Sequence, residues 1–294
     1  MQSDPIHPAE LGGTLFVPAT HPQLEAVIIG TKYPQLRSAV IDLEDGIDSE
    51  NLLAALERIA ALLPSLKPSA VLRFIRPDAP QTLEVLLAME GIGKIDGFVL
   101  PKFGLDSADA WLTLLYDTPF AFMPSIEGID LFSRERLAEL AEMLLPFRKR
   151  IPTVRFGLED LMRQLGIARD CDTPLYGLVA PAQVIASMLT AFKPLGFNVS
   201  GGVYKCYEDS DGFKAELEAD LKQGLLSKTI IHPSQIGVVE EACRVSEKEK
   251  AQAEKIVRAS TNVSCSHGIM LEKPTQLPWA ETILRRAALY GVKQ

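Results

Sequence analysis

Residues 38–45 have the sequence SAVIDLED, in which the apolar run from Ala39 to Ile41 leads into three acidic residues. A short run without polar alternation is typical of a strand that is covered on both faces, as in a parallel sheet. Most of seven further segments show the same pattern, at residues 14–19, 70–76, 97–102, 120–127, 153–160, 197–204 and 228–232. The chain therefore carries eight candidate parallel strands.

Amphipathic stretches lie between these strands. Residues 49–63 carry leucine, isoleucine and alanine at helical spacing, and further helices are predicted near residues 81–89, 107–115, 133–145, 173–192 and 211–223. Eight strands alternating with helices predict an α/β fold, a (β/α)8 TIM barrel. A doubly wound open sheet is the alternative, but Gly12 and Gly13 precede the first strand and no glycine-rich phosphate loop opens the first helix.

The chain length leaves the number of domains open, because 294 residues fit two average domains or one barrel with an addition. The strand–helix units extend to about residue 245. We therefore predict a TIM-barrel domain over residues 1–245 and a C-terminal helical extension over residues 246–294. The extension begins with a charged helix at 246–259, and we expect it to pack on the barrel or on a neighbouring subunit.

The composition narrows the class of partner. With 38 acidic and 30 basic residues the net charge is −8, which disfavours binding to nucleic acid or to an anionic membrane. No apolar run approaches the ~20 residues of a membrane-spanning helix, and no signal peptide is visible at the start. Four cysteines show no metal-site spacing, so we expect free thiols in a reducing cytoplasm: Cys171, Cys206, Cys243 and Cys265.

Charged residues collect where the predicted strands end. In a barrel these ends form the catalytic rim, because the loops that follow the strands build the site there. A single charge at a strand end is commonly a solvated cap, but six successive ends favour a functional site. The residues concerned are Asp42, Glu44, Asp45, Arg73, Arg76, Lys102, Glu127, Glu159, Asp160 and His232.

Two of these carboxylates suggest a metal site. Glu127 and Asp160 end neighbouring predicted strands, so they could share one ion. Mg²⁺ prefers one or two carboxylates together with water and substrate oxygens. An arginine nearby would grip a substrate carboxylate, and together these parts fit metal-assisted chemistry on a keto or hydroxy acid.

Six blocks of sequence carry a family resemblance. In chain order they are LFVPAT, VIDLEDGI, VLPK, PSIEG, RFGLEDL and SKTIIHPSQI. Over about residues 14–236 the chain resembles the HpcH/HpaI aldolase and citrate lyase β-subunit family. Its tail, GIMLEKPTQLPWAETILRRAALYGV, with PLYGLV and DLKQGLLSKTIIHPSQ, is most similar to the TIM-barrel C–C bond lyase-like members associated with tellurite-resistance gene clusters.

The resemblance implies roles for individual residues. Glu127 and Asp160 correspond to the family's metal carboxylates, for Mg²⁺ or alternatively Mn²⁺. An arginine in the third strand corresponds to the residue that binds the substrate carboxylate. Ungapped alignment favours Arg73, with Ile75 in place of the family's asparagine, whereas a one-step shift would select Arg76. Strand alternation puts the two arginines on opposite faces, so we expect only one of them in the site.

Further correspondences surround this centre. Glu44 and Asp45 match acids that support the arginine and the metal-bound waters, and Glu44 is equally well explained as neutralising a buried arginine. Lys102 matches a lysine that either holds a loop or touches substrate. His232 and Gln235 match a block near the acyl-carrier end of the site, and His232 is equally well explained as a strand terminator.

The C-terminal tail offers a proton-transfer residue. CoA-dependent relatives place an aspartate, supplied by a neighbouring subunit, where this chain has Glu272. A glutamate can transfer the same proton if it reaches, because its ordinary pKa is close to that of aspartate. Such sharing requires an oligomer, and the resemblance implies a homo-oligomer, a trimer or a hexamer.

Departures from the family pattern leave the substrate open. Ser227 replaces a usual glycine, and an acidic residue usual near the seventh strand is absent, so use of a CoA thioester is undecided. The leading hypothesis is an Mg²⁺-dependent carbon–carbon lyase or aldolase acting on a small-molecule hydroxy acid or acyl-CoA-type substrate through a metal-stabilised enolate. The alternatives are a metal- and keto-acid-binding regulatory subunit and a thioester hydrolase at the same site.

Overall fold

A curled parallel sheet forms the larger part of the molecule. The computed structural model describes residues 5–266 and 269–293, and within the first of these ranges seven strands pair in the order β6-β5-β4-β3-β2-β1-β7, every pair parallel. The strands are β1 (Gly13–Pro18), β2 (Ser38–Asp42), β3 (Leu72–Arg76), β4 (Gly97–Leu100), β5 (Ala121–Ile126), β6 (Arg155–Phe156) and β7 (Lys228–Ile230).

The sheet is completed by a seam of isolated bridges. Val199 bridges to Val154 beside β6, and Gly201 bridges to Lys228 in β7, both in the parallel sense. The segment predicted as a strand at 197–204 thus occupies the eighth barrel position, reduced to two bridges. The predicted TIM-barrel fold is confirmed.

Helices follow the strands along the chain. They are α1 (Pro8–Leu11), α2 (Leu24–Ile28), α3 (Leu52–Leu62), α4 (Pro80–Leu87), α5 (Ala108–Leu115), α6 (Arg134–Leu144), α7 (Leu158–Leu165), α8 (Val179–Phe192), α9 (Ser210–Lys222) and α10 (Ser234–Ala242). The helix predicted at 173–192 begins only at Val179, because Pro174 adopts an extended conformation and introduces a short 3₁₀ turn.

Alternation along the strands decides which side chains enter the barrel. A cluster of buried side chains fills the interior of the barrel: Leu11, Val40, Phe74, Val99 and Met123. Phe74 lies on the inward face of β3, and Arg76, two residues later, shares that face. The intervening Ile75 and the preceding Arg73 belong to the outward face. The carboxyl ends of the strands are thereby left to carry polar groups.

The C-terminal part is a separate compact unit. One unit ends at Val238 and the other begins at Val239, whereas the sequence placed this boundary after residue 245. The second unit contains α11 (Glu247–Arg258), which starts with a capping box between Ser246 and Glu249. The antiparallel strands β8 (Val263–Ser266) and β9 (Ile269–Glu272) and the helix α12 (Lys273–Tyr290) follow.

The helices of this unit share one apolar core. It comprises Val245, Ala253, Ile256, Leu271, Ala280 and Ile283. The sequence analysis predicted the helical character and missed the β8–β9 hairpin, whose first strand lies in a polar stretch without apolar alternation. Among the described residues no helix combines the length and the apolar character needed to cross a bilayer.

The cysteines differ from the expectation. Cys171 and Cys206 form a disulfide, with their Cα atoms 5.7 Å apart, so the prediction of four free thiols is wrong for this pair. The two residues are 35 positions apart in the chain, and only the fold brings them together. Cys243 is a buried free thiol and Cys265 an exposed one, as expected.

A buried ionic network lies behind the seam. Lys228 of β7 is fully buried, and its Nζ donates to Glu216 Oε1 at 2.8 Å and to Asp220 Oδ2 at 2.7 Å, both on α9. Arg169 and Tyr176 donate to the same two carboxylates. A Cβ at Gly201 would lie 2.3 Å from Asp220 Oδ2, so only glycine lets the backbone pass here. The network ties α9 to the barrel wall.

Replacing the central lysine should destabilise the fold. Lys228→Met leaves Glu216 and Asp220 buried without their cation, so we expect the free energy of unfolding to fall by about 3–5 kcal/mol. Urea denaturation measures this loss. Lys222→Met, an exposed lysine on the same helix α9, is the matched control and should change little. Equal stability of the two variants would contradict a stabilising role for the network.

Candidate active site

A cavity of about 440 Å³ opens at the carboxyl ends of the strands. Its wall combines apolar side chains with both signs of charge, which is the usual make-up of a small-molecule site. The residues that line it include Phe16, Asp42, Asp45, Arg76, Ser125, Glu127, Arg155, Gly157 and Asp160. The cavity therefore coincides with the rim at which the sequence analysis placed the site.

Two carboxylates converge on one glycine at this rim. Glu127 directly follows β5, and Asp160 lies in the first turn of α7, where the helix dipole favours a negative charge. A Cβ at Gly157 would lie 2.6 Å from Glu127 Cγ and 3.2 Å from Asp160 Oδ2. The φ angle of Gly157 is −80°, so glycine is needed for space and not for backbone conformation. The two carboxylates share a tight cradle.

This cradle fits a hard divalent cation. The described residues contain no cluster of three or more histidine, cysteine or acidic side chains that could hold a metal. Mg²⁺ commonly takes one or two protein carboxylates and completes its octahedron with water and substrate oxygens. A transition metal that needs three or four protein ligands fits the pair less well.

The surroundings of Glu127 disfavour the negative charge of its carboxylate. Burial raises the pKa of Glu127 to about 7, and the nearby Glu44 and Asp160 add to the rise. Its Oε2 accepts a hydrogen bond from the Lys102 backbone N–H at 3.2 Å. Lys102 holds this N–H in place with a φ of 49°, in the left-handed region that non-glycine residues rarely adopt. A cation beside Glu127 would relieve the repulsion.

Arg76 lies on the same rim and is surrounded by acids. Its Nε and Nη2 bind the two oxygens of Asp42, each at 2.7 Å, and its Nη1 lies 2.7 Å from Glu44 Oε2 and 3.3 Å from Asp45 Oδ2. Glu44 also pairs with Lys102 Nζ at 2.8 Å. Glu44 therefore bridges Arg76 and Lys102, and Asp45 adds a second carboxylate beside the arginine.

The preference for Arg73 over Arg76 is corrected by the structure. The Arg73 side chain is buried on the outward face of β3, where Nε donates to the Ile28 carbonyl at 3.0 Å and Nη2 to the Lys67 carbonyl at 2.6 Å. Those contacts hold the backbone at Ile28 and at Lys67 against β3, outside the barrel. The expectation that only one of the two arginines enters the site holds, and Arg76 is the one that lines the cavity.

The remaining sequence candidates lie farther along the chain. His232 is exposed and stacks on Tyr207 with ring centroids 4.4 Å apart. Gln235 is buried, and its Oε1 accepts from the Ile231 backbone N–H at 2.9 Å, so it shapes the end of β7. Glu272 is half-buried and precedes α12 in the C-terminal unit, where Thr275 donates to its carbonyl at 3.1 Å.

The sequence analysis missed three residues of the cavity wall. Arg155, Gly157 and Ser125 all line the cavity, and none was proposed for the site. A signal existed for Arg155, because a charged residue inside the apolar run 153–156 has no place in a barrel interior without a reason. Gly157 could not be predicted from the sequence, because its role depends on the positions of Glu127 and Asp160, which only the fold shows.

A barrel with a carboxylate pair and an arginine at its mouth has the components of a metal-assisted enzyme. A family model described as C–C bond lyase of the TIM-barrel fold matches residues 5–292. The chain therefore belongs to the family of TIM-barrel C–C bond lyases, and the predicted class of enzyme is confirmed. The predicted association with tellurite-resistance clusters stays a prediction.

Named relatives support this membership. A citrate lyase subunit β-like protein of Mycobacterium tuberculosis is 28% identical over 284 residues, covering 94% of this chain and 95% of the relative. A (3S)-malyl-CoA thioesterase of Cereibacter sphaeroides is 25% identical over 203 residues. The match to the thioesterase covers 68% of this chain and 66% of the length of the relative.

Solved structures show the same fold. The crystal structure of the CitE protein of Mycobacterium tuberculosis in complex with magnesium, acetoacetate and coenzyme A superposes with a TM-score of 0.68 and 26% identity, covering 94% of this chain and 98% of that chain. RipC from Yersinia pestis, at 20% identity and a TM-score of 0.61, covers 82% of this chain and 98% of its own, and shows the fold alone.

Metal binding should depend on pH through Glu127. A proton on this carboxylate competes with the ion, and its pKa is raised to about 7. Mg²⁺ affinity should therefore be constant above this pH and should fall by up to about tenfold for each pH unit below it. Isothermal titration calorimetry between pH 5.5 and 8.5 at fixed ionic strength measures the change. Affinity that is constant over the whole range would contradict the assignment of Glu127.

Filling the glycine cradle should impair metal binding. The Cβ of Gly157→Ala would push Glu127 aside, so we expect Mg²⁺ to bind about tenfold to a hundredfold more weakly. Gly237→Ala is the control, because a Cβ at Gly237 meets no atom within 4 Å. Circular dichroism should show both variants folded. Unchanged Mg²⁺ affinity in Gly157→Ala would separate the cradle from the metal site.

Proposed function

We propose that this chain is an Mg²⁺-dependent carbon–carbon bond lyase or aldolase. The observation that carries the proposal is the convergence of Glu127 and Asp160 on Gly157 at the mouth of the barrel. Family membership supplies the reaction class, and the carboxylate pair supplies a place for the cation that such a reaction needs.

Glu127 and Asp160 would hold the ion, with Mn²⁺ as the alternative to Mg²⁺. When bound, the ion supplies stabilisation for the negative charge that develops on a carbonyl oxygen when a neighbouring carbon–carbon bond breaks. Ser125 donates to the Glu127 carboxylate and favours its charged form. Lys102 and Glu44 keep the adjoining loop in position. His232 follows Ile231, which lines the cavity.

The proton-transfer residue is proposed to be Glu272. A carboxylate can accept a hydroxyl proton in cleavage and return it in condensation. Glu272 would act from its own chain or from a neighbouring subunit of a homo-oligomer, a trimer or a hexamer. A Glu272→Gln variant that still binds Mg²⁺ but loses turnover would support this role.

The substrate is proposed to be a small hydroxy acid or an acyl-CoA-type thioester. The related protein from Mycobacterium tuberculosis was solved with magnesium, acetoacetate and coenzyme A, which supports both halves of this proposal. A cytoplasmic setting fits a soluble small-molecule substrate, and neither nucleic acid nor a membrane is proposed as a partner.

Thioester hydrolysis at the same site is the second candidate. The relatives named (3S)-malyl-CoA thioesterase favour it, although they are only 25% identical. With malyl-CoA the two reactions give different products. Carbon–carbon cleavage yields acetyl-CoA and glyoxylate, whereas hydrolysis consumes water and yields malate and free CoA.

Removing the negative charge of Glu127 should abolish the reaction. We expect Glu127→Gln to lose at least about a hundredfold in kcat, together with Mg²⁺ binding. Glu57→Gln, an exposed acid on α3, is the matched control and should keep both. Product analysis by mass spectrometry across hydroxy acids and their CoA esters follows cleavage and hydrolysis together.

The same panel decides between the alternatives. Free CoA without a carbon–carbon cleavage product would replace the lyase by the hydrolase. Bound keto acid without any turnover would favour a regulatory subunit. Full activity and unchanged Mg²⁺ binding in Glu127→Gln would refute the assignment of Glu127 to a metal site.

A further inference from the structure

Arg155 is a buried cation without a carboxylate partner. It lies on the inward face of β6, and only 2% of its surface is exposed. Its guanidinium donates to Thr14 Oγ1 at 2.7 Å, to Thr229 Oγ1 at 2.9 Å and to Met123 Sδ at 3.4 Å. No acidic group among the described residues forms an ion pair with it within 4 Å. Such burial is unfavourable unless an anion completes it.

The guanidinium borders the cavity. Arg155 is part of the lining, and Ser125, its register partner on β5, lies beside it. The centre of its guanidinium is 5.5 Å from the centroid of the Phe16 ring, which also lines the cavity. Arginine has five N–H donors, and three bonds from Arg155 are accounted for by neutral acceptors. The remaining donors are available to a ligand in the cavity.

Arg76, the other arginine of the cavity, is already satisfied. Its guanidinium is paired with three carboxylates, those of Asp42, Glu44 and Asp45, and Asp42 holds it in a bidentate grip. An incoming carboxylate would meet this negative surplus before it met the cation. The two arginines therefore differ in kind: one is neutralised by the protein, and the other is not.

We infer that Arg155 binds the free carboxylate of the substrate at the floor of the cavity. The substrate enters carboxylate first, so its class is an acid with one free carboxylate end, and a thioester, if present, would point to the mouth. The position of the reacting bond rests on the proposed function. Arg155 is then a specificity-determining residue, in place of the arginine on β3 that the family pattern suggests.

The charge of Arg155 is maintained in the empty protein. Burial, together with the nearby Arg76, lowers its pKa to about 9, and the guanidinium is therefore protonated at neutral pH. The protein keeps this charge at a cost in stability, which is typical of residues retained for function.

The first measurement needs no variant. Calorimetry of the Mg²⁺-loaded protein compares pyruvate with pyruvamide, which has the same keto group and shape but no charge. We expect pyruvate to bind about tenfold to a hundredfold more tightly, because a charged hydrogen-bonded pair is lost in the amide. Equal binding of the two, or binding of neither, would overturn the inference.

The second measurement assigns the preference to one arginine. Arg155→Met should bind pyruvate and pyruvamide with equal affinity, whereas Arg155→Lys, which keeps the charge, should retain a preference for pyruvate. Arg76→Met should retain it as well. Loss of the preference in Arg76→Met, with its survival in Arg155→Met, would transfer the role to Arg76 and overturn the inference.

Two further readouts separate this role from others. Arg155→Met should keep or raise the melting temperature, because it removes an unpaired buried charge; a marked fall would assign Arg155 to the stability of the barrel. Mg²⁺ titration of the same variant should be unchanged. A wild-type protein that prefers pyruvate but neither binds Mg²⁺ nor cleaves any acid would refute the proposed function and leave the assignment of Arg155 intact.

Discussion

Closure of a parallel sheet gives every strand one face toward the barrel axis and one toward the helices, and alternate residues must divide between them. In this protein that constraint decides the chemistry. On β3 it turns Arg73 outward to staple loops and Arg76 inward to the cavity. On β6, only two residues long, it sends Arg155 across the interior to Thr14 and Thr229 on other strands. The two arginines of the cavity are therefore presented on strands, whereas Glu127 directly follows β5 and Asp160 lies in the first turn of α7.

The mouth of the barrel carries charges of both signs, and in two places the protein does not itself neutralise them. Three carboxylates pair with Arg76, and one of them, Glu44, also pairs with Lys102. The positive charges on this side of the mouth are therefore neutralised by the protein. Burial and the nearby charges of Glu44 and Asp160 raise the pKa of Glu127, which would favour a cation beside it. Arg155 awaits an anion. A metal ion together with an anionic substrate would complete both deficits at once, which explains how an acidic protein could bind an acid.

The sequence was sufficient to predict a site residue where its pattern allowed only one structural interpretation. Strand ends located Glu127 and Asp160, because a polar residue after a fully apolar run must lie at the rim. It was insufficient for Arg73 and Arg76, since β3 is buried on both faces and its apolar residues do not distinguish inside from outside. The pairing of Cys171 with Cys206 could not be predicted at all, because a separation of 35 residues is bridged only by the fold.

The seam between β6 and β7 has a consequence for motion. β6 and β7 do not pair with each other; single bridges at Val199 and Gly201 join the segment between them, so we expect local opening of the barrel wall to cost least at this point. The Cys171–Cys206 link and the buried Lys228 contacts flank the segment. A covalent link and a buried ion pair on either side of this segment thus compensate for the missing strand ladder, next to β6, the strand that carries Arg155.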